Sequence, residues 1–316
     1  MIMWNGSHIP TTFHLVGLPG LENIYGWISV PFCFMFFVSI VGNGLILHVV
    51  HHNHKLHRPM FLLLSTLAIT DILFSLSTSP SVLSIFLFHH HKIKSQLCLF
   101  QMFFIHSLSI TESTLLVAMA FDRFVAICHP LRYTVILTNS VVAKIILISA
   151  FRGTIIHIPP VSSLQFLPYC KGNVLSHSYC LHQDVMKLAC DGTNTFNIVY
   201  GLIVIICTVT VDMIVIVISY VLIIRAVLHA TSKMEQYKLF NTCVSHLWAV
   251  CMFYIPMVAL SVVHRFHIHV PPGFINFMAN AYLFVPPMLN PIIYSIKSRQ
   301  IRESFRETFH LRKVLW

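Results

Sequence analysis

Residues 196–224 read FNIVYGLIVIICTVTVDMIVIVISYVLII, and Asp212 is the only charged side chain among them. An α-helix needs about 20 mostly apolar residues to cross a hydrocarbon core of ~30 Å. The stretch exceeds that length, so it predicts a membrane-spanning helix that tilts or extends beyond the bilayer. A segment of this kind places the chain among helical membrane proteins.

The whole chain shares the composition of this segment. Of its 316 residues, 56% are hydrophobic and 9% are charged, and the mean hydropathy is +0.78. A soluble domain carries about 25% charged residues, so most of this surface must face lipid. This excludes a disordered chain, a collagen, a small disulfide-stapled domain and a soluble nucleic-acid binder. The net charge of +10 fits cytoplasmic loops rich in Lys and Arg.

Seven stretches of the sequence are long and apolar enough to span a bilayer. They run over 25–50, 59–88, 98–128, 141–166, 196–224, 238–263 and 274–296. No internal repeat or low-complexity linker divides the chain. The prediction is therefore an all-α membrane protein, a single seven-helix domain over 1–316, with an N-terminal segment 1–24 and a tail 297–316.

Most Lys and Arg residues fall on one side of the predicted bundle, after the first, third and fifth spans or in the tail. They are Lys55, Arg58, Arg123, Arg132, Lys144, Arg225, Lys233, Lys238, Lys297, Arg299, Arg302, Arg306, Arg312 and Lys313. Residues 1–24 contain neither Lys nor Arg. Because cytoplasmic loops are the richer in these residues, the N-terminus is predicted to be extracellular and the tail cytoplasmic.

Both ends of the chain agree with this orientation. Asn5-Gly6-Ser7 is a glycosylation acceptor, which is usable only on the lumenal side. The N-terminus lacks the basic and short apolar regions of a cleaved signal peptide, so the first span is expected to direct insertion. In the tail, Ile301, Phe305 and Phe309 repeat every four residues among arginines, which predicts an amphipathic eighth helix lying on the membrane.

Four of the nine cysteines fall on the predicted outer side, where disulfides persist: Cys98, Cys170, Cys180 and Cys190. Four cysteines allow three pairings, and the spacing alone does not choose among them. The other five lie in or beside the predicted helices and are expected to be small apolar core residues.

Four motifs on these helices resemble those of one receptor family. They are LHRPM at 56–60, MAFDRFVAIC at 119–128, TCVSHL at 242–247 and PMLNPIIY at 287–294. In this order they resemble an olfactory receptor of the rhodopsin-like G-protein-coupled superfamily, over essentially the whole chain. The resemblance implies a receptor, not an enzyme, in the plasma membrane of olfactory sensory neuron cilia.

Two further stretches resemble the class I, or fish-like, olfactory receptors: FHLVGLPGLE at 13–22 and HSYCLHQDV at 177–185. This resemblance implies disulfides Cys98–Cys180 and Cys170–Cys190. It also implies small, often water-soluble odorants, including carboxylic acids, and a stimulatory G protein that raises cyclic AMP. The expected partners are the odorant, the heterotrimeric G protein, membrane lipid and a trafficking chaperone, with no nucleic acid.

Asp122 and Arg123 end the third predicted helix at the cytoplasmic side, where an Arg can reach the interface or pair with its neighbour. The resemblance implies a latch in which Asp122 holds Arg123 at rest and releases it toward Tyr220, Tyr294 and the G protein. The family usually has Tyr where this chain has Phe124. Because Asp and Arg carry the charges, we expect little effect of that difference.

The resemblance also assigns Asn290, Pro291 and Tyr294 of the seventh helix to activation. Tyr254 precedes Pro256 within the sixth helix, and a proline there frees a backbone carbonyl and permits a kink. An aromatic side chain below the ligand could couple binding to movement of the inner end of that helix. Core packing is the alternative interpretation of Tyr254.

Asp71 and Glu112 are acids inside apolar spans, where such residues are rare and costly. At 1.5 Å per residue, Asp71 lies about 18 Å above the inner start of its helix, and Glu112 lies about 15 Å above Asp122. Two acids at one depth can share a proton or a cation. Asn43 and Asn290 could add polar partners. The resemblance favours a sodium-type site with no other cofactor, and a protonated, hydrogen-bonded acid is the alternative.

His106, Gln183, Ser261 and Arg265 are all predicted at the outer third of the bundle. Ser261 and Arg265 are four residues apart on one helix face. Arg and His donors with a Ser hydroxyl suit a carboxylate, which accepts charge-assisted bonds. We expect Arg265 to bind an acid that the other three orient. An interfacial anchor and a core histidine are the alternatives for Arg265 and His106. The apolar residues expected to sense chain length are Met102 and Phe103.

Three other functions are weighed against this one. The first is a histidine-rich membrane di-iron enzyme, because histidines cluster at 48–57 and 89–91. The clusters flank a helix about 45 Å long, so one metal centre cannot take ligands from both. A transporter would show paired half-segments broken near the midplane, and none is clear here. A class I receptor that senses metabolites outside the nose stays open, since the sequence does not record a tissue.

Overall fold

The structure is a computed structural model that describes residues 9–229, 233–266 and 271–309. Labels are given to its helices of ten residues or more. They are α1 (Tyr25–His52), α2 (Pro59–Phe88), α3 (Ser95–Cys128), α4 (Asn139–Leu164), α5 (Thr195–Leu228), α6 (Lys233–Phe266), α7 (Pro272–Lys297) and α8 (Arg299–Thr308). Short helices lie at Tyr133–Ile136 and His182–Lys187. The strands are β1 (Thr12–Leu15), β2 (Lys92–Lys94) and β3 (Val174–Leu175).

The long helices occupy the seven predicted spans. Among the described residues, α1 to α6 each contain a segment long and apolar enough to cross a membrane. The seventh, α7, has 26 residues, the same length as α4, and contacts α1, α2 and α6. The prediction of an all-α membrane bundle with a short eighth helix is therefore confirmed. The third and sixth helices begin earlier than predicted, at Ser95 and Lys233.

The bundle is apolar outside and carries its polar groups inside, as lipid requires. Large hydrophobic side chains are exposed on the outer faces, including Phe34, Phe37, Ile148, Phe151 and Ile218. Carboxyl and amide side chains are buried between the helices, including Asn43, Asp71, Glu112, Asp122 and Asp212. Buried polar groups need hydrogen-bond partners or ligands. The interior polar groups are therefore the candidate functional residues of the bundle.

Small residues bring two helix pairs into close contact. A Cβ built on Gly153 of α4 would collide with the backbone carbonyl oxygen of Ser107 on α3. A Cβ on Gly42 of α1 would lie 2.9 Å from Cγ of Pro291 on α7. Glycine permits such approach because it has no side chain. The close contact between α3 and α4 fixes the positions of His106 and His157, which line a cavity in the outer half of the bundle.

The outer face of the bundle carries a small sheet that the sequence did not predict. The strand order is β2-β1-β3, with β1 antiparallel to β2 and parallel to β3. Phe13 and Leu15 of β1 are buried beneath it. The Nδ2 atom of Asn276, on α7, donates to the carbonyl oxygens of Gly17 and Ser176, at 3.0 and 2.8 Å. The N-terminal segment is thereby fixed over the mouth of the bundle.

Two disulfides fix the loop between α4 and α5, here called the outer loop. Cys98 pairs with Cys180 and Cys170 pairs with Cys190, with Cα–Cα separations of 5.4 and 4.9 Å. Both predicted pairings are confirmed. The first joins the outer end of α3 to the loop and so holds the residues after Cys180 above the bundle interior. Asn5, the predicted glycosylation acceptor, lies outside the described residues.

Candidate ligand cavity and signalling core

A cavity of about 110 Å³ lies in the outer half of the bundle, here called the ligand cavity. Side chains of α3, α4, α5, α6, α7 and the outer loop line it. Its polar lining consists of His106, Ser109, Ser113, His157, Tyr179, Gln183, Thr208, Ser261 and Tyr282. One water molecule needs ~10–15 Å³ of such space, so the cavity holds a molecule of roughly seven to eleven heavy atoms.

The structure brings three of the predicted ligand residues together on this cavity: His106, Gln183 and Ser261. Met102 and Phe103 are not part of its lining. Met102 is fully buried in the outer core cluster, and Phe103 packs against that cluster. The side chain of Arg265 lies outside the part of the chain that the structure describes.

His106 and Gln183 each present a buried polar atom without a hydrogen-bond partner, Nε2 of His106 and Oε1 of Gln183. The Ser261 hydroxyl instead donates to the carbonyl oxygen of Met257, at 2.9 Å. A buried polar atom without a partner costs about 1–3 kcal/mol. Such atoms in a native cavity mark places where a ligand can hydrogen-bond.

Two histidines that sequence reasoning did not select lie beside His106. The ring of His157, on α4, stacks on that of His106 with centroids 5.4 Å apart. The ring of His182, in the outer loop, meets His106 edge-on at 6.2 Å. The Nδ1 atom of His157 lies 3.1 Å from the carbonyl oxygen of Gly153. A histidine inside the apolar fourth span was the signal that could have found His157.

A hydrogen-bonded chain of side chains forms the floor of the ligand cavity. Ser113, on α3, donates from Oγ to Oδ2 of Asp212 at 2.5 Å, and its Oγ lies 2.7 Å from the hydroxyl of Tyr254 on α6. Because Ser113 has one hydroxyl proton and gives it to Asp212, Tyr254 must donate to Ser113. The floor therefore links α6 to an acid on α5.

Arg152 completes this chain. Its Nη1 atom lies 3.1 Å from both carboxylate oxygens of Asp212 and donates to Oγ1 of Thr114 at 2.8 Å. Asp212 follows a π-helical turn at Ile206–Thr210, where the wider turn shifts the register of α5. Neither Arg152 nor Asp212 was predicted from the sequence to belong to a site. The signal was present, since charges inside membrane spans are rarely without a function.

The second buried acid, Asp71, is only half satisfied. Its Oδ2 atom accepts from Nδ2 of Asn290 at 3.0 Å, and its Oδ1 atom is buried without a partner. Glu112 is buried and lies within electrostatic range of Asp71. Asn43 does not reach the acids, because its amide donates to the carbonyl oxygens of Ser39 and Pro287. A carboxylate oxygen without a partner fits a sodium ion or a proton.

The cytoplasmic end of α3 carries the predicted ion pair. The Arg123 guanidinium donates to Oδ2 of Asp122, with Nη2 at 2.8 Å, and the Tyr133 hydroxyl donates to Oδ1 of the same carboxylate at 2.7 Å. Asp122 is fully buried. Both carboxylate oxygens are therefore satisfied.

The two tyrosines expected to receive Arg123 have different surroundings. The Tyr220 hydroxyl lies 2.7 Å from Nδ1 of His246, whose Nε2 lies 3.0 Å from the carbonyl oxygen of Leu116. A carbonyl only accepts, so His246 donates from Nε2 and Tyr220 donates to Nδ1. The Tyr294 hydroxyl is buried without a partner. Tyr294 alone of the two has an uncommitted hydroxyl.

Comparison with known proteins now decides the family. The family model described as "Olfactory receptor" matches residues 32–312. This chain belongs to the olfactory receptor family. It is 50% identical to human olfactory receptor 51A4 over 303 residues, which cover 96% of each chain. It is 49% identical to human olfactory receptor 51G2 over 305 residues, which cover 96% of this chain and 97% of the relative.

A third relative, human olfactory receptor 51G1, is 47% identical over 314 residues, 99% of this chain and 98% of the relative. The receptor is thus a class I olfactory receptor, a multi-pass plasma-membrane protein that takes a small-molecule ligand and a G protein as partners. The expectation that it is not an enzyme is confirmed by the family. The histidine-rich enzyme is therefore excluded.

Proposed function

We propose that this receptor binds a small carboxylic acid in the ligand cavity and activates a stimulatory G protein that raises cyclic AMP. The unpaired Nε2 of His106 carries this proposal, because it is buried on the cavity wall and the His106 ring can donate from it to a carboxylate. A ligand that accepts this hydrogen bond recovers part of a cost of about 1–3 kcal/mol.

A carboxylate is the ligand group that best fits these neighbours. It accepts hydrogen bonds, and the surrounding groups can donate: the His106 ring, the amide of Gln183 after rotation, and the Ser261 hydroxyl once it turns away from the carbonyl oxygen of Met257. Arg265 follows Ser261 by one turn of α6 and would add a charge-assisted, bidentate bond. Apolar wall residues such as Val209 and Met257 leave room for a short hydrocarbon chain.

The route from ligand to G protein runs through the cavity floor. Tyr254 is tied to Ser113 at the floor and lies two residues before Pro256, inside α6. A ligand that moves Tyr254 would shift α6 about the proline, because a helix bends most easily where proline removes a hydrogen bond. Opening at the inner end would then free Arg123 from Asp122. Tyr294 is then the expected partner of Arg123, because its hydroxyl has no hydrogen-bond partner.

We also propose that Asp71 holds sodium in the resting receptor, with Glu112 beside it. The unpaired Oδ1 of Asp71 supports this, since a cation would satisfy it. Partnership with membrane lipid and with a trafficking chaperone, and residence in olfactory cilia, stay predictions.

The test measures cyclic AMP in cells that express the receptor with a trafficking chaperone, using straight-chain acids of four to ten carbons and the matching alcohols. We expect dose-dependent responses to acids and none to alcohols. Arg265→Ala should abolish the acid response at unchanged surface expression, whereas Met102→Leu, which alters no cavity-lining residue, should retain it. A response to alcohols alone, or an unchanged response in Arg265→Ala, would reject the acid site.

A further inference from the structure

A second cavity opens beside the ligand cavity and is here called the side cavity. Its volume is about 510 Å³, and it lies between α4, α5 and the short helix His182–Lys187 of the outer loop. His106, His157 and Gln183 line both cavities. The two spaces therefore share a wall of polar side chains, and that wall contains the two unpaired atoms of His106 and Gln183.

The side cavity faces the lipid. Ile198 and Leu202 of α5 line it and are 44% and 41% exposed, so they form its outer lip. On the outer face of α5 the neighbouring Ile203 is also exposed and is not part of the lining. Val204 and Ile205 lie deeper and line both cavities. A molecule dissolved in the outer leaflet can thus pass the lip and reach the shared wall.

The direct route from the aqueous side into the ligand cavity is covered by described residues of the outer loop. Tyr179, Leu181 and Gln183 of the outer loop form the roof of the ligand cavity, and Cys180 between them is bonded to Cys98 of α3. Strand β1 pairs with β3 of the same loop, and its Phe13 is fully buried. Opening this roof would break sheet pairings and the hydrogen bonds of Asn276. The lateral path as far as the shared wall crosses neither the sheet nor this disulfide.

The chemistry of the side cavity suits an amphiphilic anion. Lys187 stands at its outer end with a half-exposed side chain, and among the described residues that line the cavity none is Asp or Glu. The nearest acid is Asp184, whose Oδ1 lies 4.0 Å from the Lys187 amine. Below Lys187 the wall becomes apolar, with Pro160, Ile198 and Leu202. Long side chains of Lys place their charge at the membrane interface, where an acid headgroup lies.

We propose that the side cavity is a second ligand site, which takes amphiphilic carboxylic acids from the outer leaflet through the gap between α4 and α5 and passes them to the ligand cavity. Lys187 receives the carboxylate and the apolar wall receives the chain. The ligand class rests on the proposed function, but the path rests on the two cavities alone.

The direct test uses photolabelling, which does not depend on signalling. The purified receptor in lipid nanodiscs is labelled with a ten-carbon carboxylic acid that carries a terminal diazirine, and the labelled residues are mapped. We expect label at Val204 and Ile205 in addition to the lipid-facing Ile203. Gly201 lines the side cavity, so Gly201→Leu should reduce the label at Val204 and Ile205, relative to Ile203, at least fivefold.

Gly26→Leu is the matched control, because Gly26 lies near the outer end of α1 with nothing within 4 Å of an added Cβ. It should leave the ratio unchanged. Lys187→Glu should lower the ratio of label at Val204 and Ile205 to label at Ile203 severalfold. Lys187→Arg keeps the positive charge and should leave this ratio as in the wild type. Equal labelling ratios in Gly201→Leu and Gly26→Leu would overturn the side-cavity site, regardless of the cyclic AMP response in cells.

A second arm separates this inference from the proposed function. In cells, the acid that activates the wild-type receptor best should act severalfold more slowly on Gly201→Leu, with the same maximal cyclic AMP, because a narrowed passage slows entry and exit alike. Label in the side cavity without any cyclic AMP response to acids would support the site and reject the proposed function. A cyclic AMP response to acids that Gly201→Leu leaves unchanged would support the proposed function and reject the side-cavity site.

Discussion

Asp212 and Asp71 are both carboxyl groups buried in the helical bundle, and their surroundings differ. Both oxygens of Asp212 lie 3.1 Å from Nη1 of Arg152, and Oδ2 also accepts from Ser113. Asp71 accepts one hydrogen bond, from Asn290, and its other oxygen has no partner. One acid is part of a completed ion pair, and the other has a vacant acceptor.

This difference predicts that Asp212 stabilises the fold and that Asp71 responds to protons or cations. A buried charge with a hydrogen-bonded counter-charge keeps one arrangement, and removing one partner leaves the other uncompensated. A buried carboxylate without a counter-charge gains most from a proton or a cation. We therefore expect substitutions at Asp212 to change the stability of the fold and substitutions at Asp71 to change its response to ions.

The largest effect is expected from Asp212→Ala. It leaves the Arg152 guanidinium in the bundle without its counter-charge, which should lower the free energy of unfolding by about 3 kcal/mol. The measurement is the thermal midpoint of the purified receptor together with its surface expression. The double variant Arg152→Met, Asp212→Leu should recover most of the loss. A single variant as stable as the wild type would show that the ion pair does not organise the floor.

A smaller effect is expected from Ser113→Ala, which removes the link between this ion pair and α6. A hydrogen bond to a charged group contributes about 1.5–3 kcal/mol, so the loss should be about 2 kcal/mol. Tyr254→Phe is the matched variant, because it removes only the neutral bond, at a cost of about 1 kcal/mol. Both should raise basal cyclic AMP by loosening α6 from α3. If Tyr254→Phe costs more than Ser113→Ala, then Asp212 is not the main partner of Ser113.

A smaller change in stability again is expected from Asp71→Asn. The amide keeps a partner for Asn290 and removes the charge of the half-satisfied acid, so the free energy of unfolding should change by less than about 1 kcal/mol. The wild-type thermal midpoint should rise when sodium chloride replaces choline chloride, and that rise should vanish in the variant. Asp212→Asn serves as the control, and its thermal midpoint should still rise with sodium. A sodium response that survives Asp71→Asn would exclude this acid as the cation site.

The helices and disulfides could be predicted because their causes are local or carried by family motifs. Apolar length fixes α1 to α6, and the resemblance gives the pairing of Cys98 with Cys180. The outer sheet could not be predicted, because β1 to β3 are only two to four residues each and their pairing depends on distant segments. Periodicity has no signal over such short strands.

The site was predictable in its residue types and less so in its partners. His106, Gln183 and Ser261 follow from polar residues at one depth, and they line one cavity. The partner of Asp212 could not be chosen, because Arg152 lies on another helix and depth alone does not give rotation about the helix axis. Close contact through Gly153 decides which face of α4 meets α3, and a single sequence does not show it.

The smallest effect is expected at a third acid, Glu307 of α8, which is exposed to water. Hydrogen bonds from Lys55 and Asn53 hold the pKa of this carboxyl below its ordinary value of 4.5. A depressed pKa stabilises the fold above the unfolded-state pKa, and the contribution is lost as the pH falls through the folded value. Lys55→Gln should therefore shift the thermal midpoint slightly at pH 7 and progressively less below pH 4.5. Because water and salt screen exposed pairs, the shift should stay well below that of Ser113→Ala. A shift as large as that of Asp212→Ala would mean that solvent exposure does not determine how much each of the three acids contributes to stability.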